Sequence, residues 1–329
     1  MEPNRVRVGP ELSSLRCSDK WRALFHQLLN HLPVCNEDFS NTTSLLTARG
    51  VSGVEELRNF ATLILDSVTR QGKGLIVTDL GWPTHDPDVC GQFLLFLTSM
   101  IAEPTSHVGN SYRPLWDIRP RDVMSSPDYL PTYSEHSLPA PLHTDNQFAT
   151  QPEDLLLLYV VRPANCGGGR NRLLSMRALE EEIRIDEKAQ AMLDILTHSS
   201  VPFRVPTVFA SASGNLGPHQ VQWGHVISRC PRIRYRLDTI RAGLALHPAM
   251  GNERLLAALS NFADCAEHSA NIFEAALPQD SLCIINNHCV LHGRTGFTDR
   301  SRHLLRARAR LRRVVTLHPE AAGLTLCCS

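Results

Sequence analysis

Two histidines and one aspartate in this chain have the residue types and the spacing of a metal site. His143 and Asp145 stand two positions apart, directly after Pro141 and Leu142, and His292 lies far along the chain. Residues two apart on an extended strand point to the same side, so His143 and Asp145 can face one metal ion. Two imidazoles and one carboxylate, with open positions opposite them, suit non-haem Fe(II). For the His-x-Asp triplet alone, an ordinary surface loop is the competing interpretation.

A second group of polar residues follows an apolar run near the end of the chain. The run 282–294 is predicted to be one buried strand that ends in polar residues, with His292 among them. Arg302 and Arg306 follow and share strand parity, so both can face inward. A planar guanidinium binds a carboxylate through two parallel hydrogen bonds, which fixes direction as well as charge. The later arginines are interpreted as a solvated basic edge: Arg308, Arg310, Arg312 and Arg313.

Taken jointly, these motifs resemble the Fe(II)/2-oxoglutarate-dependent oxygenases of the taurine dioxygenase and clavaminate synthase-like superfamily. The resemblance runs in order through residues 74–313, and its pieces are Pro141-Leu142-His143-Thr144-Asp145, a Gly-rich turn, Asn287 through His292-Gly293-Arg294, and Arg302-x-x-x-Arg306. It implies that His143, Asp145 and His292 ligate Fe(II). It also implies that Arg302 pairs with the distal carboxylate of 2-oxoglutarate, that Arg306 lies near the same cosubstrate, and that O2 is consumed.

Two positions refine what the resemblance implies. Members usually carry a threonine after the Gly-rich turn, whereas Cys166-Gly167-Gly168-Gly169-Arg170-Asn171 puts Asn171 there. An amide can still donate a hydrogen bond to a carboxylate, so Asn171 is predicted to contact 2-oxoglutarate with altered geometry. Related iron halogenases have a small residue in place of the ligating carboxylate. Asp145 therefore predicts oxygen chemistry rather than halogenation.

The predicted activity is hydroxylation of an unactivated C–H bond in a small molecule, with release of succinate and CO2. Desaturation, epoxidation and ring closure remain open alternatives. The expected substrate is an amino-acid-derived compound or another natural-product intermediate, which rests on the resemblance alone. A catalytically inactive jelly-roll binding protein and a zinc hydrolase using the same triad are the competing functions. The candidate substrate contacts are Trp116, Asn146, Phe148 and Arg241.

The composition fits a small-molecule enzyme. The 329 residues are 43% hydrophobic and 20% charged, with a formal net charge of zero, which argues against bulk electrostatic binding of nucleic acid. The longest apolar run, 155–161, is far shorter than a membrane span. The first residues lack the apolar segment of a secretory signal, so a cytoplasmic protein is expected. Oligomeric state is not predicted.

The elements that must position these residues follow from hydrophobic periodicity. Helices are predicted at 19–33, 54–68 and 89–100, with helical inserts near 177–195 and 252–276. Short strands are predicted at 74–78, 155–161, 201–205, 221–227, 282–285 and 304–311. Such strands, broken by turn residues, indicate an antiparallel sandwich or barrel. The resemblance narrows this to a mainly β fold, a double-stranded β-helix (jelly roll, cupin-like) core with flanking α-helices. One oxygenase domain is predicted over 1–329, with an N-terminal helical part (1–73), a core (74–315) that includes a lid region (103–141), and a tail (316–329).

Overall fold

The computed structural model describes residues 5–9, 12–28, 53–69, 74–82, 84–106, 114–121, 128–210, 220–228 and 232–312. Its helices are α1 (Asp19–Leu28), α2 (Val54–Thr69), α3 (Pro87–Ile101), α4 (Met176–Ile183), α5 (Glu187–His198), α6 (Thr207–Ala210), α7 (Leu237–Leu246) and α8 (Glu253–His268). Its strands are β1 (Arg5–Gly9), β2 (Leu12–Arg16), β3 (Gly74–Thr78), β4 (Glu103–Pro104), β5 (Leu115–Ile118), β6 (Ala140–His143), β7 (Leu155–Arg162), β8 (Asn171–Ser175), β9 (Ser200–Arg204), β10 (Val221–His225), β11 (Phe273–Ala275), β12 (Leu282–Asn286), β13 (Val290–Arg294) and β14 (His303–Arg310).

Two sheets facing each other form the centre of the fold. The major sheet has the order β1-β2-β3-β12-β7-β14-β4, with β5 also paired to β14, and the minor sheet has the order β11-β8-β13-β6. Leu158 and Leu304 of the major sheet pack with Leu173 and Val290 of the minor sheet in one buried apolar cluster. The predicted jelly-roll core with flanking helices is confirmed by this arrangement.

Helices cover the outer face of each sheet. Helices α1, α2 and α3 pack on the major sheet, where Leu305 and Ala307 of β14 join their cluster. Helices α4, α5, α7 and α8 pack on the minor sheet against Leu142, Leu174 and Leu291. Because side chains alternate along a strand, the even-numbered residues of β14 face the space between the sheets. The helices cover the outer face of β14 with apolar contacts, so polar side chains that line a site must lie on its interior face.

The structure departs from the predicted elements in two places that matter for the site. The run 282–294 is not one strand but two, because a turn at 287–289 carries the chain from β12 in the major sheet to β13 in the minor sheet. The predicted lid region 103–141 contains the strands β4 and β5, which both pair with β14, so part of it belongs to the major sheet. Residues 29–33 and the predicted tail 316–329 lie outside the described residues, and the division into one domain with these parts stays a prediction.

None of the helices within the described ranges combines the length and the apolar character needed to cross a membrane.

A half-buried ion pair ties β5 to β14, the strand that carries Arg306 and Arg308. Nε2 of His303 lies 2.6 Å from Oδ1 of Asp117, and Arg119 binds the other carboxylate oxygen at 2.5 Å. The hydrogen bond from His303, helped by Arg119, lowers the pKa of Asp117 to about 2. A carboxyl group with a lowered pKa stabilises the fold above its unfolded pKa, and this contribution is lost as the pH falls toward the folded pKa.

We therefore expect Asp117→Asn to lower the free energy of unfolding at pH 6 by about 1–2 kcal/mol, since a charged hydrogen bond stabilises by about 1.5–3 kcal/mol before solvent screening. The loss should shrink between pH 4 and about pH 2, where Asp117 itself becomes protonated. Urea unfolding of both proteins across this range measures the difference. An equal loss at all pH values would contradict the assigned ion pair.

Candidate metal centre

Two adjacent strands of the minor sheet bring His143 and His292 together. His292 in β13 pairs directly with His143 at the end of β6, and their ring centroids are 4.2 Å apart. Asp145 lies in the turn after β6 rather than on the strand. The possible ligand atoms of all three residues lie within 4.8 Å of one another, and each residue is buried. The fold thus brings together the three residues that the sequence predicted. Two of them lie on strands, and Asp145 lies in a turn.

A glycine allows β13 to approach β6 this closely. A Cβ atom on Gly293 would lie 2.6 Å from the carbonyl oxygen of Ala140, closer than real Cβ contacts come. The backbone next to His292 therefore depends on the absence of a side chain at position 293.

Hydrogen bonding and burial set His143 in the form that binds metals. Nδ1 of His143 lies 2.8 Å from the carbonyl oxygen of Pro141, and because a carbonyl only accepts, Nδ1 carries the proton. The lone pair is then on Nε2. Burial, with His292 nearby, lowers the pKa of His143 well below its usual value, so the ring is neutral.

Asp145 is an ionised carboxylate despite its burial. Burial raises its pKa, but the guanidinium of Arg306 and the neighbouring His292 outweigh this and hold the pKa well below the usual value. Nη1 of Arg306 lies 2.8 Å from Oδ2, as an ion pair without hydrogen-bond alignment. The other oxygen, Oδ1, lies 3.8 Å from Nε2 of His143 and 3.6 Å from Nε2 of His292.

The donor set fits a divalent transition metal. Two imidazoles and one carboxylate are the ligands that non-haem Fe(II) takes when it keeps open positions. Nδ1 of His292 is buried and has no hydrogen-bond partner among the residues that the structure describes. The other ring nitrogen, Nε2 of His292, faces Oδ1 of Asp145 at 3.6 Å, and the three residues offer ligand atoms within 4.8 Å of one another, which supports a bound ion between them.

A cavity next to the triad contains a buried arginine that has no acidic partner within the described ranges. Arg302 is 3% exposed, and its Nη1 has no hydrogen-bond partner in the described part of the chain. Burial lowers the pKa of Arg302 to about 10. Asn171 lines the same cavity, and apolar side chains complete this wall: Ile118, Leu158 and Leu304. A buried guanidinium beside apolar side chains, without an acidic partner in the described part of the chain, is a site for an anion.

The next two arginines along the chain, Arg306 and Arg308 of β14, are also buried. Arg306 faces the cavity beside Asp145, and Arg308 is 2% exposed with Nη1 3.6 Å from the carboxylate of Glu153. The predicted solvated edge is therefore wrong for Arg308, because it shares the interior face of the strand with Arg306. Arg310 is exposed, as predicted.

The four candidate substrate residues surround the site without lining the cavity of the triad. Trp116 donates a hydrogen bond to Oγ of Ser134 at 2.9 Å, and its ring lies 6.0 Å from the guanidinium carbon of Arg306. Phe148 packs in the same aromatic cluster as Trp116.

The other two candidates have different surroundings. Asn146, which has a φ of 52°, donates to Oε2 of Glu153 at 2.8 Å. Arg241 is exposed on α7 and lines a separate cavity between β6, α7 and α8. Contact with substrate stays a prediction for all four.

Sequence reasoning missed two buried residues that support the centre, Glu153 and Asn287. Glu153 binds Asn146 and Arg308, and Asn287 hydrogen-bonds the backbone of Asp145. Asn287 stands in a motif that the sequence analysis used, five residues before His292, which was the available signal. Glu153 had no signal beyond a polar residue just before a strand.

Both the sequence and the fold of this chain are similar to those of known proteins. Residues 81–308 match the family described as taurine catabolism dioxygenase TauD, TfdA family. The fold is similar to a crystal structure of asparagine oxygenase in complex with Fe(II), 2S,3S-3-hydroxyasparagine and succinate, with a TM-score of 0.68 and 16% identity over 91% of this chain and 93% of that chain. It is also similar to the non-heme iron oxygenase OrfP in complex with Fe and alpha-ketoglutaric acid, with a TM-score of 0.61 and 14% identity over 91% of this chain and 93% of that chain. No curated protein matches the sequence.

Proposed function

Because this chain belongs to the taurine catabolism dioxygenase TauD, TfdA family, we propose that it hydroxylates an amino acid or a closely related small molecule. The enzyme is a 2-oxoglutarate-dependent non-haem iron dioxygenase, as the sequence motifs predicted. The observation that carries the proposal is one cavity that joins the His143, Asp145 and His292 triad to the guanidinium of Arg302, whose Nη1 has no hydrogen-bond partner among the described residues.

Each side chain of this cavity has a role in the proposal. His143, Asp145 and His292 hold Fe(II), and Arg302 binds the distal carboxylate of 2-oxoglutarate. Bound together, Fe(II) and 2-oxoglutarate would let O2 oxidise a C–H bond, with one oxygen atom going to the substrate and the other to succinate, and with CO2 released. Arg306 keeps one oxygen of Asp145 in an ion pair, which leaves the other for the metal.

The remaining walls of the cavity control orientation and water. Ile118, Leu158 and Leu304 exclude water around the cosubstrate, so the charge of Arg302 acts in a medium of low dielectric constant. Asn171 faces the same space and can donate a hydrogen bond to a carboxylate. The protein thereby contributes positioning and exclusion of solvent, while the oxidation belongs to the cofactors.

The substrate class is proposed from the similar structures. Asparagine oxygenase is described with hydroxyasparagine, and OrfP is described with (3S)-hydroxy-L-Arg. At these sequence identities the likeness establishes the fold, so the amino-acid substrate is a proposal for this chain. Hydroxylation is favoured over desaturation, epoxidation and ring closure on the same basis.

The test is substrate-dependent formation of succinate by Fe(II)-loaded protein over a panel of free amino acids and simple derivatives. We expect one compound to couple succinate release to a product heavier by one oxygen atom, as seen by mass spectrometry. An inactive binding protein predicts no absorption band when Fe(II) and 2-oxoglutarate are added without oxygen. A zinc hydrolase predicts turnover without O2. Either result would refute the proposal.

A further inference from the structure

We infer that Asn287 is a positioning residue for the metal site, because its side-chain amide fixes the backbone of Asp145 relative to His292. The inference rests on the proposed function, since it assigns a role only if these two residues hold a metal. Asn287 is not among the residues that line the cavity of the triad, and its side chain bonds to the backbone of Asp145 and Glu153, so its effect is exerted through Asp145.

Every hydrogen-bonding group of the Asn287 amide is used on the backbone around the site. Oδ1 accepts from the backbone N–H of Asp145 at 2.8 Å, and Nδ2 donates to the carbonyl oxygen of Asp145 at 3.0 Å. Nδ2 also donates to the carbonyl oxygen of Glu153 at 3.0 Å. Asn287 is 1% exposed, so these bonds do not compete with bulk water. The side chain thus holds both peptide groups that flank the Asp145 side chain.

Asp145 needs such support because it lies beyond the end of β6. His143 is held by its strand, whereas Asp145 is in a turn and has no strand partner. The next residue, Asn146, has a φ of 52°, so the chain changes direction immediately after the carboxylate. In this turn the two bonds from Asn287 replace the ladder bonds that a strand would supply.

The place of Asn287 in the fold connects Asp145 to His292. Asn287 opens the turn between β12 and β13, where the chain crosses from the major to the minor sheet. Its own N–H donates to the carbonyl oxygen of Asp154 at 2.9 Å. His292 follows on β13, so one side chain ties the segment that leads to the second imidazole to the turn that holds the carboxylate. A shift of this turn changes the 3.6 Å separation of Asp145 Oδ1 and His292 Nε2.

The adjacent Asn286 is a matched control of the same type. Its Oδ1 accepts from the backbone N–H of His288 at 3.1 Å, and its Nδ2 donates to the carbonyl oxygen of Val68 at 3.3 Å. Neither bond reaches Asp145. Asn286→Ala therefore disturbs the same turn without releasing the carboxylate.

The experiment titrates Fe(II) without oxygen into the wild-type chain and into Asn287→Ala, Asn287→Asp and Asn286→Ala, with a competing chelator. We expect Asn287→Ala to weaken Fe(II) binding by about 10- to 100-fold, as loss of groups that orient metal ligands does. Asn287→Asp keeps the size and the acceptor but places an oxygen atom against the carbonyl oxygens of Asp145 and Glu153, so it should also weaken Fe(II) binding. Asn286→Ala should bind Fe(II) like the wild type. The absorption band of the Fe(II) and 2-oxoglutarate complex should shift in the Asn287 variants alone.

Urea unfolding separates positioning from stability. If Asn287→Ala and Asn286→Ala lose Fe(II) affinity equally, or if folded Asn287→Ala binds like the wild type, the inference is wrong. If Asn287→Ala does not fold, Asn287→Asp decides, and wild-type affinity with an unshifted band would overturn the inference. A wild-type chain that binds no Fe(II) would instead refute the proposed function.

Discussion

Asp145→Ala and His292→Ala are expected to lose stoichiometric Fe(II) binding and to reduce substrate-dependent succinate formation by more than about 100-fold. Loss of a group that merely orients a metal ligand costs about 10- to 100-fold, and a ligand itself contributes more. Asp145 enters the site from the turn after β6 and His292 from β13, yet their facing atoms are 3.6 Å apart. Anaerobic Fe(II) titration and a succinate assay measure the two losses.

The two variants differ in what they do to the fold. Asp145→Ala also leaves Arg306 buried without its ion-pair partner, and breaking a buried pair costs about 3–5 kcal/mol. His292→Ala creates no such orphan charge, so it separates loss of metal from loss of stability. His288→Ala, in the turn 287–289, serves as a control. It removes a contact to Asp154 and should retain Fe(II) binding. Wild-type turnover in Asp145→Ala or His292→Ala would show that the triad does not hold the iron.

Strand parity explains why inward-facing arginines could be predicted from the sequence, and the wrong prediction for one of them shows the limit of this reasoning. Arg302 and Arg306 were assigned to the interior because they lie an even number of positions apart, and both line the cavity. The same parity applies to Arg308, which was nevertheless assigned to solvent. Its burial depends on Glu153, a partner that is distant in sequence and carries no local signal.

The turn at 287–289 shows a second limit of local patterns. The residues on both sides of it are apolar and buried, so 282–294 reads as one continuous strand. The break is imposed by the closure of two sheets around a common core, which is a long-range condition. Both the placement of Asp145 in a turn and the bonds from Asn287 follow from that closure. The types of the site residues were therefore predictable, whereas the groups that hold them were not.

Arg302→Met is expected to raise the KM for 2-oxoglutarate by about 10- to 100-fold, since a hydrogen bond to a charged group stabilises by about 1.5–3 kcal/mol. In the absence of cosubstrate the same change should leave the free energy of unfolding unchanged or raise it. The reason is that Arg302 is a buried charge, with a pKa lowered to about 10 by burial and with Nη1 unpartnered among the described residues. Replacing such a charge by an apolar side chain of similar length removes a desolvation cost.

Weaker 2-oxoglutarate binding without a loss of apoprotein stability distinguishes an anion-binding arginine from an arginine that supports the fold. Arg302→Lys keeps the charge but loses the two parallel hydrogen bonds, so its KM should lie between those of the wild type and Arg302→Met. Arg310→Met, on the exposed end of the same run, should change neither quantity. Succinate assays give the KM values, and thermal unfolding with and without 2-oxoglutarate gives the stabilities. Because a ligand stabilises a protein according to its concentration relative to Kd, the rise in unfolding temperature at a fixed 2-oxoglutarate concentration should be smaller in Arg302→Met than in the wild type. If apoprotein stability falls sharply while KM is unchanged, Arg302 supports the fold and the cosubstrate carboxylate binds elsewhere.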